Sequence, residues 1–148
     1  MKIYLDMCCY NRPYDPQEQI KINLETQAKL YIQEKIKQGG VQLVSSYILD
    51  YEVSNVPAED RKQTIKAFID RYSSEYVGGE NHAVVEAKAS EIMKTGVKEK
   101  DALHVASAIL SGCGCFISTD RRLLKYKTEE IRMMNPTDFV IENEEERR

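Results

Sequence analysis

The chain has 148 residues, 42% hydrophobic and 30% charged, with a net charge of −3. That length suits one domain around one core, and no apolar run approaches the roughly 18 residues a membrane span needs. The acidic balance excludes tight passive binding to nucleic acid, which depends on Lys and Arg neutralising phosphates. A nucleic-acid substrate would need a local basic patch, a bound cation, or both.

Ile3-Tyr4-Leu5 predicts a short strand that ends at Asp6. An acid so early does not fit a signal peptide, so the expected location is the cytoplasm. Asn11 to Pro16 reads as a loop, because two prolines restrict the backbone. From Gln17 to Gln38, apolar residues recur at three- and four-residue steps, which predicts a long amphipathic helix closed by Gly39-Gly40. Val41 to Ser45 reads as a second strand and Ser46 to Val53 as the helix leaving it. Pro57 opens another helix, carried by Ile65, Phe68, Ile69 and Tyr72, and Gly78-Gly79 breaks it. Glu80 to Lys94 is helical. The run from Lys98 or Glu99 to Ser111 is apolar almost all round, so its helix belongs inside the protein. A third strand, Cys115 to Ser118, and a last one, Ile131 to Met134, follow, with Asn135-Pro136 as the stop. The tail Glu142 to Arg148 is a charged run, expected as a solvated or frayed helix end. Strands separated by helices imply a three-layer α/β/α sandwich with a mostly parallel central sheet, one domain over residues 1–148.

The four cysteines form Cys8-Cys9 and Cys113-x-Cys115. Neither pair has the C-x₂₋₄-C spacing of a zinc site, and Cys8 and Cys9 point opposite ways if extended. They read as thiols that behave as small hydrophobes. His82 and His104 show no partner pattern, and His104, one turn after Asp101, reads as a core histidine.

Four carboxylates share a place in this plan. Asp6 ends the first strand, Glu52 lies on the helix after the second, Asp101 starts the buried helix, and Asp120 follows the third strand. Parallel strands put their C-terminal ends on one edge, where open α/β sheets bind ligands. Singly, Asp120 reads equally as a helix cap or a ligand, Asp101 as a cap and Glu52 as a solvated residue. Jointly they repel, by about 4 kcal/mol for two charges 4 Å apart at an effective dielectric near 20. Such a group raises its own pKa values or takes a cation, and oxygen ligands favour Mg2+ or Mn2+. Beside a phosphodiester, such ions activate water and stabilise the leaving oxygen. Asp50 lies on a different helix face from Glu52 and ranks below it.

The segments KIYLDMCCYN (Lys2 to Asn11), SSYILDYEV (Ser45 to Val53), KEKDALHVASAIL (Lys98 to Leu110) and CFISTDRRLL (Cys115 to Leu124) resemble those of PIN domains, most like the toxin ribonucleases of VapC type. MMNPTDFV, from Met134 to Val140 with its preceding Met133, resembles the family's final strand and exit. The resemblance implies a PIN-like α/β/α fold and Mg2+- or Mn2+-dependent cleavage of RNA. It carries the family's acids onto Asp6, Glu52, Asp101 and Asp120, as catalytic residues and metal ligands, and makes Thr119 the hydroxylic residue supporting the last of them. It also implies a homodimer and a small antitoxin partner. The chain departs where family members carry Ser, Thr or Asn after the first acid: here stand Met7, Cys8 and Cys9, with Asn11 as the substitute from the loop. Arg121, Arg122, Lys125 and Lys127 are placed to draw an RNA backbone toward the ion, or to form a solvated helix face. Ile20, Leu24, Tyr31, Ile65, Phe68 and Tyr72 are candidates for a groove that accepts a partner helix.

The leading reading is therefore an endoribonuclease leaving a 5′-phosphate and a 3′-hydroxyl. The alternative is a non-catalytic RNA- or protein-binding module on the same fold, which Met7 motivates. An aspartyl phosphatase would need a second acid where Cys8 stands.

Overall fold

The computed structural model describes residues 1–146. Five strands, β1 (Lys2–Leu5), β2 (Gln42–Ser46), β3 (Ser73–Val77), β4 (Cys115–Ile117) and β5 (Arg132–Met134), form one sheet in the order β3-β2-β1-β4-β5. Every pair is parallel. The chain builds outward from β1 to β3 on one side, then returns to the other side of β1 with β4. The strand order therefore reverses between β1 and β4.

The central strands β1, β2 and β4 are buried on both faces, as parallel strands under helices must be. Ile3, Leu5, Leu43, Cys115 and Ile117 face one layer, which contains α1 (Met7–Asn11), α2 (Ile20–Lys37), α3 (Tyr47–Ser54), α4 (Glu59–Tyr72) and α8 (Pro136–Glu146). Tyr4, Val44 and Phe116 face the other, built on α5 (His82–Met93) and α6 (Glu99–Leu110), with Leu123 of the short α7 (Arg121–Leu124). Tyr4 and Phe116, paired across β1 and β4, stack with ring centroids 5.4 Å apart. Gly39 and Gly112, with φ of 80° and 78°, close α2 and α6 in the left-handed conformation that favours glycine.

The three-layer, parallel α/β/α architecture is the one expected. Four local expectations are corrected. Residues 73 to 77 form the edge strand β3, where only Val77 is buried; so polar a segment carries no strand pattern. Met7–Asn11 is a helical turn, so Cys8 and Cys9 are not extended. Asn135-Pro136 ends β5 but also starts α8: the Asn135 side chain accepts the Asp138 N–H at 2.8 Å and Pro136 takes the first helical position. Most of the charged tail is therefore helix, tied down where Arg132 pairs with Glu142, while Arg147 and Arg148 lie outside the described residues. Of the apolar residues proposed to line a groove, Ile65 is core and Phe68 and Tyr72 pack against it, whereas Ile20 is 77% exposed. Among the described residues no helix is long and apolar enough to cross a membrane.

Candidate active site

The reversal of strand order opens a crevice at the C-terminal ends of β1 and β4, the place where open α/β sheets take ligands. Asp6 emerges from β1 there, only 7% exposed. Its backbone N–H still reaches across to the Ile117 carbonyl at 2.9 Å, which fixes it against β4. Its carboxylate caps α1: the Met7 N–H donates to Oδ1 at 2.9 Å. The Ser118 hydroxyl donates to Oδ2 at 2.8 Å, and the Cys8 thiol approaches the same oxygen at 3.5 Å. Ser118 also accepts the Asp120 N–H at 3.0 Å. One hydroxyl thus joins the acid of β1 to the acid after β4.

Asp120 is exposed and caps α7, accepting the N–H groups of Arg122 at 2.9 Å and Leu123 at 3.3 Å. It is a cap, and it stands on the site as well. Asp101 lies in the first turn of α6, half-buried. Burial pushes its carboxyl up, and the negative charges of Asp6, Asp120 and Glu52 push it further, with His104 opposing them. Asp101 therefore lies within electrostatic reach of the other three acids. Burial likewise raises the Asp6 carboxyl, with Cys8 adding to the rise.

Glu52 reaches the site from α3 and is held by His104. This histidine is fully buried on α6, with Nε2 on the Glu52 carboxylate and Nδ1 2.6 Å from the Tyr4 hydroxyl. Tyr4 in turn lies 2.6 Å from the Ser46 hydroxyl, which accepts the Leu49 N–H at 3.2 Å. Ser46 must then donate to Tyr4, Tyr4 to Nδ1, and Nε2–H to Glu52, which assigns the tautomer from the partners alone. Such a histidine is core and also a positioning group for Glu52.

Sequence reasoning assigned the hydroxylic role to Thr119. In the structure the bridging hydroxyl is that of Ser118, and Thr119 meets Cys8 through its backbone N–H, which donates to Sγ at 3.3 Å. Hydrogen bonds from Cys9, Ser118 and Thr119 hold the Cys8 thiol well below its ordinary pKa against the opposing effect of burial. Asn11 ends α1 with Oδ1 buried and without a hydrogen-bond partner. Arg121 and Arg122 form the exposed first turn of α7. His82 lies outside this group, bonded to Tyr47 at 2.8 Å and paired with Glu86 at 3.1 Å.

Beside the acids lies a cleft of about 630 Å³. Asp101 and Asp120 form one wall, and Lys98, Arg122, Lys125, Tyr126 and Lys127 line the rest with the turn at Thr95-Gly96-Val97. No Lys or Arg is paired with Asp6, Asp101 or Asp120 among the described residues. The donor set, carboxylate oxygen with mutual repulsion, fits a hard divalent cation. No three His, Cys, Asp or Glu side chains among the described residues are drawn tightly enough together to grip one ion in this conformation.

No family model and no curated relative matches the sequence. Solved structures share its fold. VapBC2 from Rickettsia felis, bound to a DNA fragment from its promoter, is 14% identical with a TM-score of 0.56, over 91% of this chain and 98% of that one. FitAcB from Neisseria gonorrhoeae is 16% identical with a TM-score of 0.59, over 90% and 97%. FitAB bound to an IR36 DNA fragment is 17% identical with a TM-score of 0.57, over 91% and 95%. At these identities the likeness is one of fold, and the three-layer α/β/α architecture with a parallel sheet read from the sequence is the fold observed.

Proposed function

We propose that the protein is a divalent-metal-dependent endoribonuclease and the toxin of a toxin–antitoxin pair. The observation that carries this reading is the meeting of Asp6, Asp101 and Asp120 at the sheet's switch point with no cationic side chain among them. Converging carboxylates with no counter-charge, one buried and one half-buried, call for a cation from solution. Mg2+ or Mn2+ would be held by Asp6, Asp101 and Asp120 with Glu52, and when bound it supplies an acidified water and charge neutralisation beside a phosphodiester.

The chain's own residues do the positioning. Ser118 holds the Asp6 carboxylate against the backbone of Asp120. His104 holds Glu52, and its Tyr4–Ser46 support fixes the imidazole. Arg121 and Arg122 present positive charge next to Asp120, where an RNA backbone would arrive. The expected products are a 5′-phosphate and a 3′-hydroxyl. The fold shared with VapBC2 and FitAB supports a small antitoxin as partner, and a homodimer is proposed with it.

Digestion of total RNA by metal-stripped protein tests the reading. Cleavage restored by Mn2+ or Mg2+, lost with excess EDTA and mapping to 5′-phosphate ends is the expected result. Undiminished cutting in EDTA overturns it. A second reading, a non-catalytic binding module, is favoured by two observations: Glu52 is committed to His104, and among the described residues no three His, Cys, Asp or Glu side chains close on one point. RNA binding without cleavage in any metal selects it.

A further inference from the structure

The cations of the described residues divide by position. Outside residues 94 to 127, every Lys and Arg meets a carboxylate or lies over an aromatic ring. Lys88, just before that stretch, is held by Glu91 and Glu130, and Arg132, just after it, by Glu142. Within 94 to 127, Lys94, Lys98, Lys100, Arg121, Arg122, Lys125 and Lys127 have neither kind of partner. In a chain with three more acids than bases, the unspent positive charge of the described residues is confined to the segments that frame the acidic site.

Four of these cations line the cleft beside Asp101 and Asp120. Lys98 stands on one side, at the start of α6. Arg122, Lys125 and Lys127 stand on the other. Tyr126 sits between the last two lysines and packs, half-buried, on the same core as Val97 and Leu123. Cations along a groove with an aromatic ring among them are what a single nucleic-acid strand needs: charge for successive phosphates and a platform for a base. A duplex hides its base faces in the stack, and a cleft of about 630 Å³ is the size of a small-ligand pocket. An acidic peptide is better matched by bidentate guanidinium forks than by three lysines acting as point charges.

We propose that this cleft is the track for one RNA strand, with Lys98, Arg122, Lys125 and Lys127 on its phosphates and Tyr126 under a base next to the cleaved linkage. The position of the cleaved linkage rests on the ribonuclease reading; the track itself does not.

Fluorescence anisotropy in EDTA, where cleavage is off, tests it with a short labelled single-stranded RNA, the matching duplex and a poly-glutamate competitor. Replacing Lys98, Lys125 and Lys127 together by Gln should lower the slope of log affinity against log salt by about 0.7 for each lysine. The same change at Lys35, Lys37 and Lys62 should leave the slope alone. Tyr126→Leu should weaken binding about tenfold, while Tyr126→Phe keeps it. Equal effects from the two lysine sets overturn the proposal, as do duplex binding as tight as the single strand, displacement by poly-glutamate, or no binding by the wild-type protein at low salt. Binding that behaves as described without metal-dependent cleavage sinks the ribonuclease reading and leaves the track standing.

Discussion

Two buried carboxylates on the same side of the molecule have opposite surroundings. Glu25, 4% exposed on α2, receives the Arg12 Nε at 2.8 Å and has Lys21 at 3.8 Å, while Arg12 also pairs with Asp15 at 2.9 Å. Asp6, 7% exposed, receives a backbone N–H, a hydroxyl and a thiol, and faces other acids. Charge at Glu25 is settled within the fold, where it fastens the loop before α2 to the helix. Charge at Asp6 is left open. The same fold that pairs one buried acid leaves the other without a cation of its own, which is where the proposed metal would act.

The contrast is most sharply broken by substitution. Asp6→Asn or Asp101→Asn should reduce metal-dependent RNA cleavage on the order of 10²-fold or more, since even groups that only orient ligands cost 10–100-fold. Far-ultraviolet circular dichroism should be unchanged. Wild-type rates in Mn2+ for both variants would show that the open charge is idle. Glu25→Gln should do the reverse. It strands Arg12 and should cost about 2 kcal/mol in urea denaturation, below the ~3–5 of a fully buried pair because Arg12 keeps Asp15 and water. Its cleavage rate should equal that of the wild type.

Titration without metal sharpens the same comparison. Burial raises the Asp6 carboxyl to about 7, above the ~3.9 of an unfolded chain. The folded state then binds the extra proton between those values, so stability is lost as pH rises from about 4 toward 7. Asp6→Asn removes that loss. Its unfolding free energy in urea should match or exceed that of the wild type at pH 8, by on the order of 1–2 kcal/mol, and the two should converge in acid. A variant less stable than the wild type at pH 8 contradicts the uncompensated charge.

The smallest effect belongs to Lys29. Its amine is buried beneath α4, bonds Gln33 at 2.6 Å and lies 5.6 Å from the Tyr10 ring and 5.7 Å from the Phe68 ring. Burial lowers it to about 8, against ~10.4 unfolded. The unfolded chain keeps a proton that the folded one releases between those values, so stability rises with pH across that window and the cost is complete below it. Lys29→Met should therefore stabilise by on the order of 1 kcal/mol at neutral pH, with the gain fading above pH 10. An unchanged pH profile would mean that the ring faces and Gln33 already offset the burial.

How much of this is legible in the sequence depends on the range of each interaction. Strands β1, β2 and β4 are short apolar runs, and α2 and α6 carry their periodicity, so the layers and the four acids at the sheet edge can be read from residue order. The supports cannot. His104 lies on the same helix face as Asp101, but its partners, Tyr4 and Glu52, are 100 and 52 residues away. Ser118 left a usable signal: in an extended segment residues two apart share a side, which puts Ser118, not Thr119, with Asp120. β3 is an edge strand with a polar sequence, and only its pairing with β2 makes it visible.

The placement of β1 at the middle of the sheet has a consequence for synthesis. Ser118 is 112 residues from Asp6, and β4 must slot in beside a strand made at the outset. A ribosome adds about 5–20 residues per second, so for seconds the emerging chain holds Asp6 with neither Ser118 nor Asp120 to complete its surroundings. An unfinished polypeptide of this fold therefore cannot carry out the chemistry proposed for the finished one. Under the proposed reading, the acid set is incomplete until residue 120 has left the ribosome.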